Sequence, residues 1–290
     1  SILLFNILDV SIAETGESIP ERLPEDAPEP VVNLREVLQG LTVRNLQECY
    51  NDAIYYRDEM RQLFITGRVT LRQRTLADKY FWAIINRIAE EKEKLKHMPK
   101  ELADIDSTLA DIYYANISVF QSLPDTWAID QVFPIMPIHR LKEMPTRQGI
   151  LSDITCDCDG KIDKFVDLHD ERHTLPLHEL REDEEYYLAV FLVGAYQETL
   201  GDLHNLLGDT NVVSVNISRE DGRFEIVKEI EGDSVSDVLS YVEYDPKTLI
   251  SSFRDKAETA VRENRITPAE RRTIMAAYED GLRGYTYFER

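Results

Sequence analysis

In "LADKYFWAIINRIAEEKEKLK", Phe81, Ile84, Ile85 and Ile88 recur at i, i+3, i+4 and i+7, the spacing of one buried face of an α-helix. Glu90 stands four residues before Lys94, which adds an expected ion pair on the exposed side. Similar segments joined by short loops run from Val31 to about Phe120 and predict a helical bundle. The chain opens on a different period. In "SILLFNILDVSIA", Ile2, Leu4, Asn6 and Leu8 alternate with Leu3, Phe5, Ile7 and Asp9 among strand formers, so a buried strand is expected.

Strand patterns return beyond Phe120. "DQVFPIMPIH" is interrupted by Pro134 and Pro137, which confines it to an edge or a bulge. "GILSDITC" is a short strand, and "YYLAVFLVG" is a continuous apolar run expected to be buried on both faces. After Gly194, "AYQETLGDLHNLLG" turns helical. "NVVSVNIS" alternates with Val213, Val215 and Ile217 inward, Asp221 and Gly222 signal a two-residue hairpin turn, and "RFEIVKEI" alternates again. The tail is helical: "SVSDVLSYV", "DPKTLISSFRDKAETAV" with Pro246 near its start, and "TPAERRTIMAAYEDGL" with Thr267 as N-cap, Pro268 in the first turn and Gly281 as the stop.

These patterns divide the chain into a strand at 1–13, a connector at 14–30, a helical bundle at 31–122, a strand-rich unit at 123–232 and a helical tail at 233–290. The connector holds four prolines and six acidic residues, so it should run extended and solvated. A helical block inserted between one strand and a later group of strands is an α+β architecture.

Charge narrows the partners. With 33 basic and 54 acidic residues among 290, the net charge of −21 argues against nucleic acid or an anionic membrane surface and suits a cationic ligand. The apolar opening lacks a basic flank, carries Asp9 and is far too short to span a bilayer, which argues against a signal peptide or an anchor. Cys49, Cys156 and Cys158 are too few and too badly spaced for a disulfide framework and point to the reducing cytoplasm. Without an initiator methionine, and starting inside a strand, the chain is expected to be a piece of something longer.

The densest chemistry lies in "DITCDCDGKID", residues 153–163. An EF-hand loop with Gly160 at its sixth position would place Thr155 and Val166 where carboxylate ligands are required. Zinc lacks a second ligand pair, and C-x-C is not the spacing of a redox couple. Two readings stay open: a solvated turn at a strand end, or a thiol presented beside carboxylates for catalysis.

"DITCDCDGKID" followed by "FLVGAYQETLGDLHNLLGDT" resembles the C-terminal half of the biosynthetic arginine decarboxylases, large bacterial members of the alanine-racemase-like, fold type III decarboxylases that use pyridoxal phosphate. The resemblance extends to "YYANISVFQSLPDTWAIDQVFPIMPIHRL", "YVEYDPKTLISSFRD" and "YEDGLRGYTYFE", and is weakest at 14–30 and 70–105. It implies a β-barrel or β-sandwich domain with an inserted helical bundle and a helical C-terminus. It also implies that the family's (β/α)8 barrel, with its cofactor lysine, lies upstream, since no lysine here sits in a matching context. Such a fragment alone is expected to be inactive.

The resemblance also assigns roles. Cys156 is the thiol that one subunit inserts into the other's site to protonate the substrate carbon after carbon dioxide leaves; the plain alternative is a buried structural thiol. Asp157 is the carboxylate that meets the substrate guanidinium, and Asp159 shares that task or caps the turn. Cys158 stands where the family commonly has serine. Tyr196 bonds the cofactor phosphate and Gly194 lets the backbone approach it, against the alternative of a core tyrosine. His204 and Asn205 lie near the interface pocket or simply pack. His139, His169, His173 and His178 are read as surface or loop residues. Ile117 replaces the aspartate that binds the substrate amine in ornithine-type relatives, which favours arginine.

The expected activity is conversion of L-arginine to agmatine and carbon dioxide in polyamine and spermidine biosynthesis. The resemblance further implies pyridoxal 5'-phosphate, Mg²⁺ with unidentified ligands, and a homodimer or larger homo-oligomer. The alternatives are a decarboxylase of another basic amino acid or of carboxynorspermidine, and a non-catalytic regulatory partner that lacks the cofactor lysine.

Overall fold

Alternation at the start of the chain makes β1 (Ile2–Ser11), but only one of its faces is covered. In the computed structural model, which describes residues 1–13, 19–20, 22–92, 94–95, 99–103, 105–168, 171–218 and 222–289, Phe5 and Ile7 are buried while Ile2 and Leu4 are exposed. The expected buried strand is thus buried through Phe5 and Ile7, with Ile2 and Leu4 left open.

Three long helices follow: α1 (Glu29–Gly40), α2 (Leu46–Ile65) and α3 (Leu71–Lys92). Phe81, Ile84, Ile85 and Ile88 of α3 are fully buried against Val31 and Leu34 of α1 and Ala53 and Met60 of α2. The short helices α4 (Lys100–Ala103) and α5 (Ile105–Thr108) add Leu102 and Ile105 to the same core. Lys94 pairs with Glu91 at 2.8 Å and not with Glu90, because α3 ends at Lys92 and the i,i+4 register ends with it.

The run of bundle helices stops at α5, short of Phe120. Asp111–Ala115 forms β2, with Asp111, Tyr113 and Ala115 buried and Tyr114 exposed, the period of two that marks a strand. Buried Asp111 breaks the apolar pattern in the sequence. It is compensated by Arg147, whose Nε and Nη2 donate to its two oxygens at 2.5 and 2.7 Å. Two short helices come next, α6 (Val119–Ser122), capped by Ser118, and α7 (Pro124–Ala128).

The remaining strands are β3 (Ile135–Pro137), β4 (Arg147–Ser152), β5 (Lys161–Ile162), β6 (Phe165–Val166), β7 (Glu171–Arg172), β8 (Leu175–Leu177) and β9 (Tyr187–Phe191). One seven-stranded sheet runs β3-β9-β1-β2-β4-β5, with β8 also on β4; β6 and β7 pair separately. Only β2 and β4 are parallel in that sheet. β3 sits at the edge, as its prolines require, and Leu188, Ala189 and Val190 of β9 are buried on both faces. Phe5, Tyr113, Leu151, Leu177 and Val190 meet in the sheet core.

The segment expected to be helical after Gly194 yields only α8 (Tyr196–Thr199) and a 3₁₀ turn at His204–Leu206. Asn205 and Leu206 both take φ of 58°, which breaks the helix. β10 (Val212–Ile217) and β11 (Phe224–Ile230) then form the expected hairpin as a sheet of their own. Asp221 lies outside the described residues, and Gly222 takes a φ of +70°. Val213, Val215 and Ile217 are 51, 49 and 65% exposed, so they do not point inward; no third layer of the described chain covers that face.

The tail forms α9 (Val235–Tyr241), α10 (Pro246–Arg262) and α11 (Pro268–Arg283). Thr267 caps α11 and Pro268 opens it, but the helix continues through Gly281 to Arg283, and Gly284 is its C-cap. Among the described residues no helix is long and apolar enough to cross a membrane.

Candidate functional site

The loop from Asp153 to Gly160 leaves the C-terminal end of β4 and is stapled from below by a buried carboxylate. Asp153 accepts from the Val119 amide at 2.9 Å, the Thr155 amide at 2.8 Å and Thr155 Oγ1 at 2.6 Å, while its own amide donates to the Gly160 carbonyl at 2.8 Å. Burial raises the Asp153 carboxyl above its ordinary range, and the bonds from Thr155 and Val119 oppose that rise. Gly160 closes the loop so tightly that a Cβ there would overlap Asp153 Oδ1 and Thr155 Oγ1 and lie 2.6 Å from Asp153 Cγ.

With its base fixed, the loop turns Cys156, Asp157, Cys158 and Asp159 outward, all exposed. Cys156 is a free, exposed thiol. The turn is capped by Asp157, whose Oδ1 accepts from the Asp159 amide at 3.1 Å. Asp159 contributes its carbonyl, which accepts from the Lys161 amide at 2.8 Å.

His204 and Asn205, nearly fifty residues later, face this loop. The Cys156 amide donates to Asn205 Oδ1 at 3.1 Å, and Asn205 Nδ2 donates to Cys156 Sγ at 3.3 Å. His204 Nε2 lies 3.9 Å from Asp157 Oδ2, and its ring packs on Phe120 at 4.5 Å between centroids. Phe120 in turn meets Trp127 at 5.3 Å. Four of the residues singled out from the sequence thus form one cluster over α6.

Tyr196 and Gly194 flank the same helical corner from the other side. α8 is fastened to α7 by Gln197, whose Oε1 accepts from the Asp125 amide at 3.2 Å and whose Nε2 donates to Asp125 Oδ2 at 2.5 Å. Tyr196 is 74% exposed, and its hydroxyl makes no hydrogen bond among the described residues. Around Gly194 a Cβ would meet nothing within 4 Å, so the surface there is open to a ligand.

Other expectations need correction. His178 is not a surface residue: it is buried, with Nδ1 2.9 Å from the Tyr186 hydroxyl and Nε2 3.2 Å from the Glu143 carbonyl. Its place directly after "TLPL" puts it at the end of buried β8. His139 is half-buried beside Tyr187, His173 is exposed, and His169 lies outside the described residues. Ile117, where ornithine-type relatives have the aspartate, is buried in the sheet core, and its carbonyl accepts from the Ile154 amide at 3.2 Å.

Two features under the site had no signal in local spacing. Gln121 Nε2 donates to Asp209 Oδ1 at 2.6 Å, and burial, then the neighbouring Asp233, holds the Asp209 carboxyl above its usual range. The C-terminal residues dock alongside: the Phe288 amide donates to Asn116 Oδ1 at 3.1 Å, and the Tyr287 hydroxyl donates to the Gly208 carbonyl at 2.9 Å.

Residues 24–106 match the model of the arginine decarboxylase helical bundle domain, and residues 235–288 match that of the arginine decarboxylase C-terminal helical extension. Two regions of the chain are therefore similar to arginine decarboxylase domains. A biosynthetic arginine decarboxylase from Gloeobacter violaceus is 45% identical over 290 residues, covering 99% of this chain and 45% of that protein. One from Bacteroides thetaiotaomicron is 43% identical over 289 residues, covering 100% of this chain and 45% of the relative. The crystal structure of the biosynthetic arginine decarboxylase SpeA from Campylobacter jejuni superimposes with a TM-score of 0.76 at 29% identity, over 99% of this chain and 45% of that one. The chain therefore spans less than half the length of these relatives.

Similarity to arginine decarboxylases raises the question of which groups these residues fit. Asp157, Cys158 and Asp159 bring ligand atoms within 4.8 Å of one another on an exposed turn. That donor set does not suit Mg²⁺, which takes octahedral oxygen ligands, because one of its three members is a soft sulfur and Asp157 Oδ1 already accepts a backbone bond. The exposed Tyr196 hydroxyl beside the open surface at Gly194, together with an outward thiol at Cys156, does suit part of the rim of a pyridoxal phosphate pocket.

Proposed function

We propose that this chain is the C-terminal portion of a cytoplasmic, pyridoxal-phosphate-dependent biosynthetic arginine decarboxylase, converting L-arginine to agmatine and carbon dioxide. We further propose that its Cys156 loop completes the site of a second subunit in a homodimer or larger assembly. The observation that carries this reading is an exposed thiol and carboxylate, Cys156 and Asp157, held outward on a loop whose base is locked by Asp153. A rigid group with nothing over it suits a site whose other wall comes from elsewhere. The segments that suit the β-domain are 1–13, 123–232 and, because β2 pairs with β1 and β4, 111–115; the helices before β2 and those of 233–290 are additions, with the barrel upstream.

Pyridoxal phosphate, when bound, supplies an electron sink for the pair left at the substrate's α-carbon when the bond to the carboxyl group breaks. Everything else falls to side chains. The Asp157 carboxylate accepts two parallel N–H bonds from the guanidinium; its oxygens have lone pairs to spare beyond the one used by Asp159. His204 Nε2 lies 3.9 Å from Asp157 Oδ2, on the same side of the cluster. The Cys156 thiol gives its proton to the α-carbon and is reprotonated from solvent. The Tyr196 hydroxyl donates to a phosphate oxygen. The net charge of −21 draws a cationic substrate toward the protein.

The test is Cys156→Ala in the full-length enzyme. Turnover should fall by about 100-fold, the lower end of what a positioned proton donor contributes, with a larger share of product protonated at the wrong carbon and with cofactor affinity retained. Unchanged turnover and product ratio would remove the role assigned to the thiol.

A further inference from the structure

We propose that Asn205 is the positioning residue for the Cys156 sulfhydryl, a role that rests on the proton-donor reading of that thiol. Asn205 Oδ1 accepts from the Cys156 amide at 3.1 Å, which leaves Nδ2 to donate to Sγ at 3.3 Å. The backbone donor fixes which end of the amide faces which atom, since an N–H cannot pair with Nδ2. One side chain therefore grips the cysteine at both its backbone and its sulfur.

The sulfur is then an acceptor on the Asn205 side, so its own S–H is directed away from Asn205. Once the proton has been given up, the same Nδ2–H remains on the sulfur anion, and a hydrogen bond to a charged acceptor is stronger than one to a neutral thiol. Asn205 thus orients the proton before transfer and stabilises what is left afterwards.

The turn that carries Asn205 is anchored to the element that anchors the cysteine loop. The Asp202 amide donates to the Phe120 carbonyl at 3.0 Å, and Gly201 packs so close to the Gln121 carbonyl that any Cβ would overlap it. His204 rests on the Phe120 ring. On the other side, Asp153 ties the cysteine loop to the Val119 amide at 2.9 Å. Donor and thiol are therefore both referred to α6, and their separation does not depend on a long path through the fold. The left-handed φ of 58° at Asn205 is one that asparagine adopts more readily than most residues.

The test uses the 290-residue chain carrying Cys158→Ser, with the rate of iodoacetamide alkylation at Cys156 followed by peptide mass at one fixed pH, and with hydrogen exchange at the Cys156 amide. Asn205→Asp keeps the acceptor for the amide and puts a carboxylate oxygen against the sulfur in place of the donor. Alkylation should slow by about tenfold, the scale of a lost hydrogen bond to a charged group, while the amide stays protected. Asn205→Gly keeps the left-handed backbone and removes both bonds, so the amide should lose protection and alkylation should slow as well. Parental alkylation in Asn205→Asp, or an amide still protected in Asn205→Gly, overturns the proposal. In the full-length holoenzyme Asn205→Asp should raise the share of wrongly protonated product. If Cys156→Ala leaves catalysis unchanged while the alkylation and exchange results hold, the catalytic reading fails and the grip on the thiol stands.

Discussion

Gly160→Ala is a single-methyl change at the base of the cysteine loop, and its cost can be built from the contacts it meets. The new Cβ would overlap Asp153 Oδ1 and Thr155 Oγ1. Gly160 does not sit in the left-handed region, so the backbone accepts alanine and the methyl acts through the clash alone. The Asp153 carboxylate must swing off its partners. Thr155 can find water, but the Val119 amide is buried and loses its acceptor. A buried unpaired N–H costs about 1–3 kcal/mol, and displacing a hydrogen-bonded buried carboxylate adds about as much. Lower unfolded-state entropy returns about 0.4–1 kcal/mol. The net loss is about 3 kcal/mol, which lowers the melting temperature by about 6–12 °C for a chain of this size. Calorimetry at neutral pH measures it, with hydrogen exchange at Val119 as the local reading. In an Asp153→Ala background most of the overlapping atoms are gone, so the same glycine change should cost less than in the parent. A melting point within about 2 °C of the parent, with Val119 still protected, would falsify the stapled-loop account.

Arg147→Ala leaves the Asp111 carboxylate, buried between β1 and β4, with the Ala13 amide still bonded to it but without its cation, and stability should drop by about 3 kcal/mol in chemical denaturation; a loss under about 1 kcal/mol means that water reaches Asp111. The capping carboxylates of α9, α10 and α11 give a pH signature. Bonds from Ser234, Thr248 and Thr267 hold Asp237, Asp245 and Glu270 below their ordinary values of 3.8, 3.8 and 4.5. Their contribution is complete above those values and disappears as pH falls through the lower folded ones, so the tail helices should fray on acidification, seen as rising amide exchange in residues 235–283. Asp153 and Asp209, raised by burial, have the opposite sign: what they contribute is lost as pH rises through their raised values. Converting both to asparagine should flatten that part of the stability profile, and an unchanged slope would mean that neither carboxyl is desolvated.

How far the sequence could be read depended on whether the deciding contact was local. α3 was legible because Phe81, Ile84, Ile85 and Ile88 share a face whatever covers it. The hairpin was legible as a pair of strands, since parity assigns Val213, Val215 and Ile217 to one face, but parity does not say that anything packs there, and that face is open. β2 was missed because Asp111 is made tolerable by Arg147, thirty-six residues away. The cysteine loop was visible as an unusual cluster, yet its locking residue Asp153 and its grip from Asn205 rest on pairings that no spacing rule contains. His178 was misplaced for the same reason, its partners being Tyr186 and Glu143.

β1 and β2 are neighbours in the sheet, with Ser11 opposite Ile112 and the Ala13 amide bonded to Asp111 Oδ1 at 2.9 Å, although the three long helices lie between them in sequence. The excursion therefore leaves and rejoins the scaffold at one point. Because the entropy of closing such a detour grows only as the logarithm of its length, the sheet is nearly indifferent to how much protein is spliced in there. An ancestral graft at that seam would have left the strand register, and with it the geometry of the distant cysteine loop, untouched.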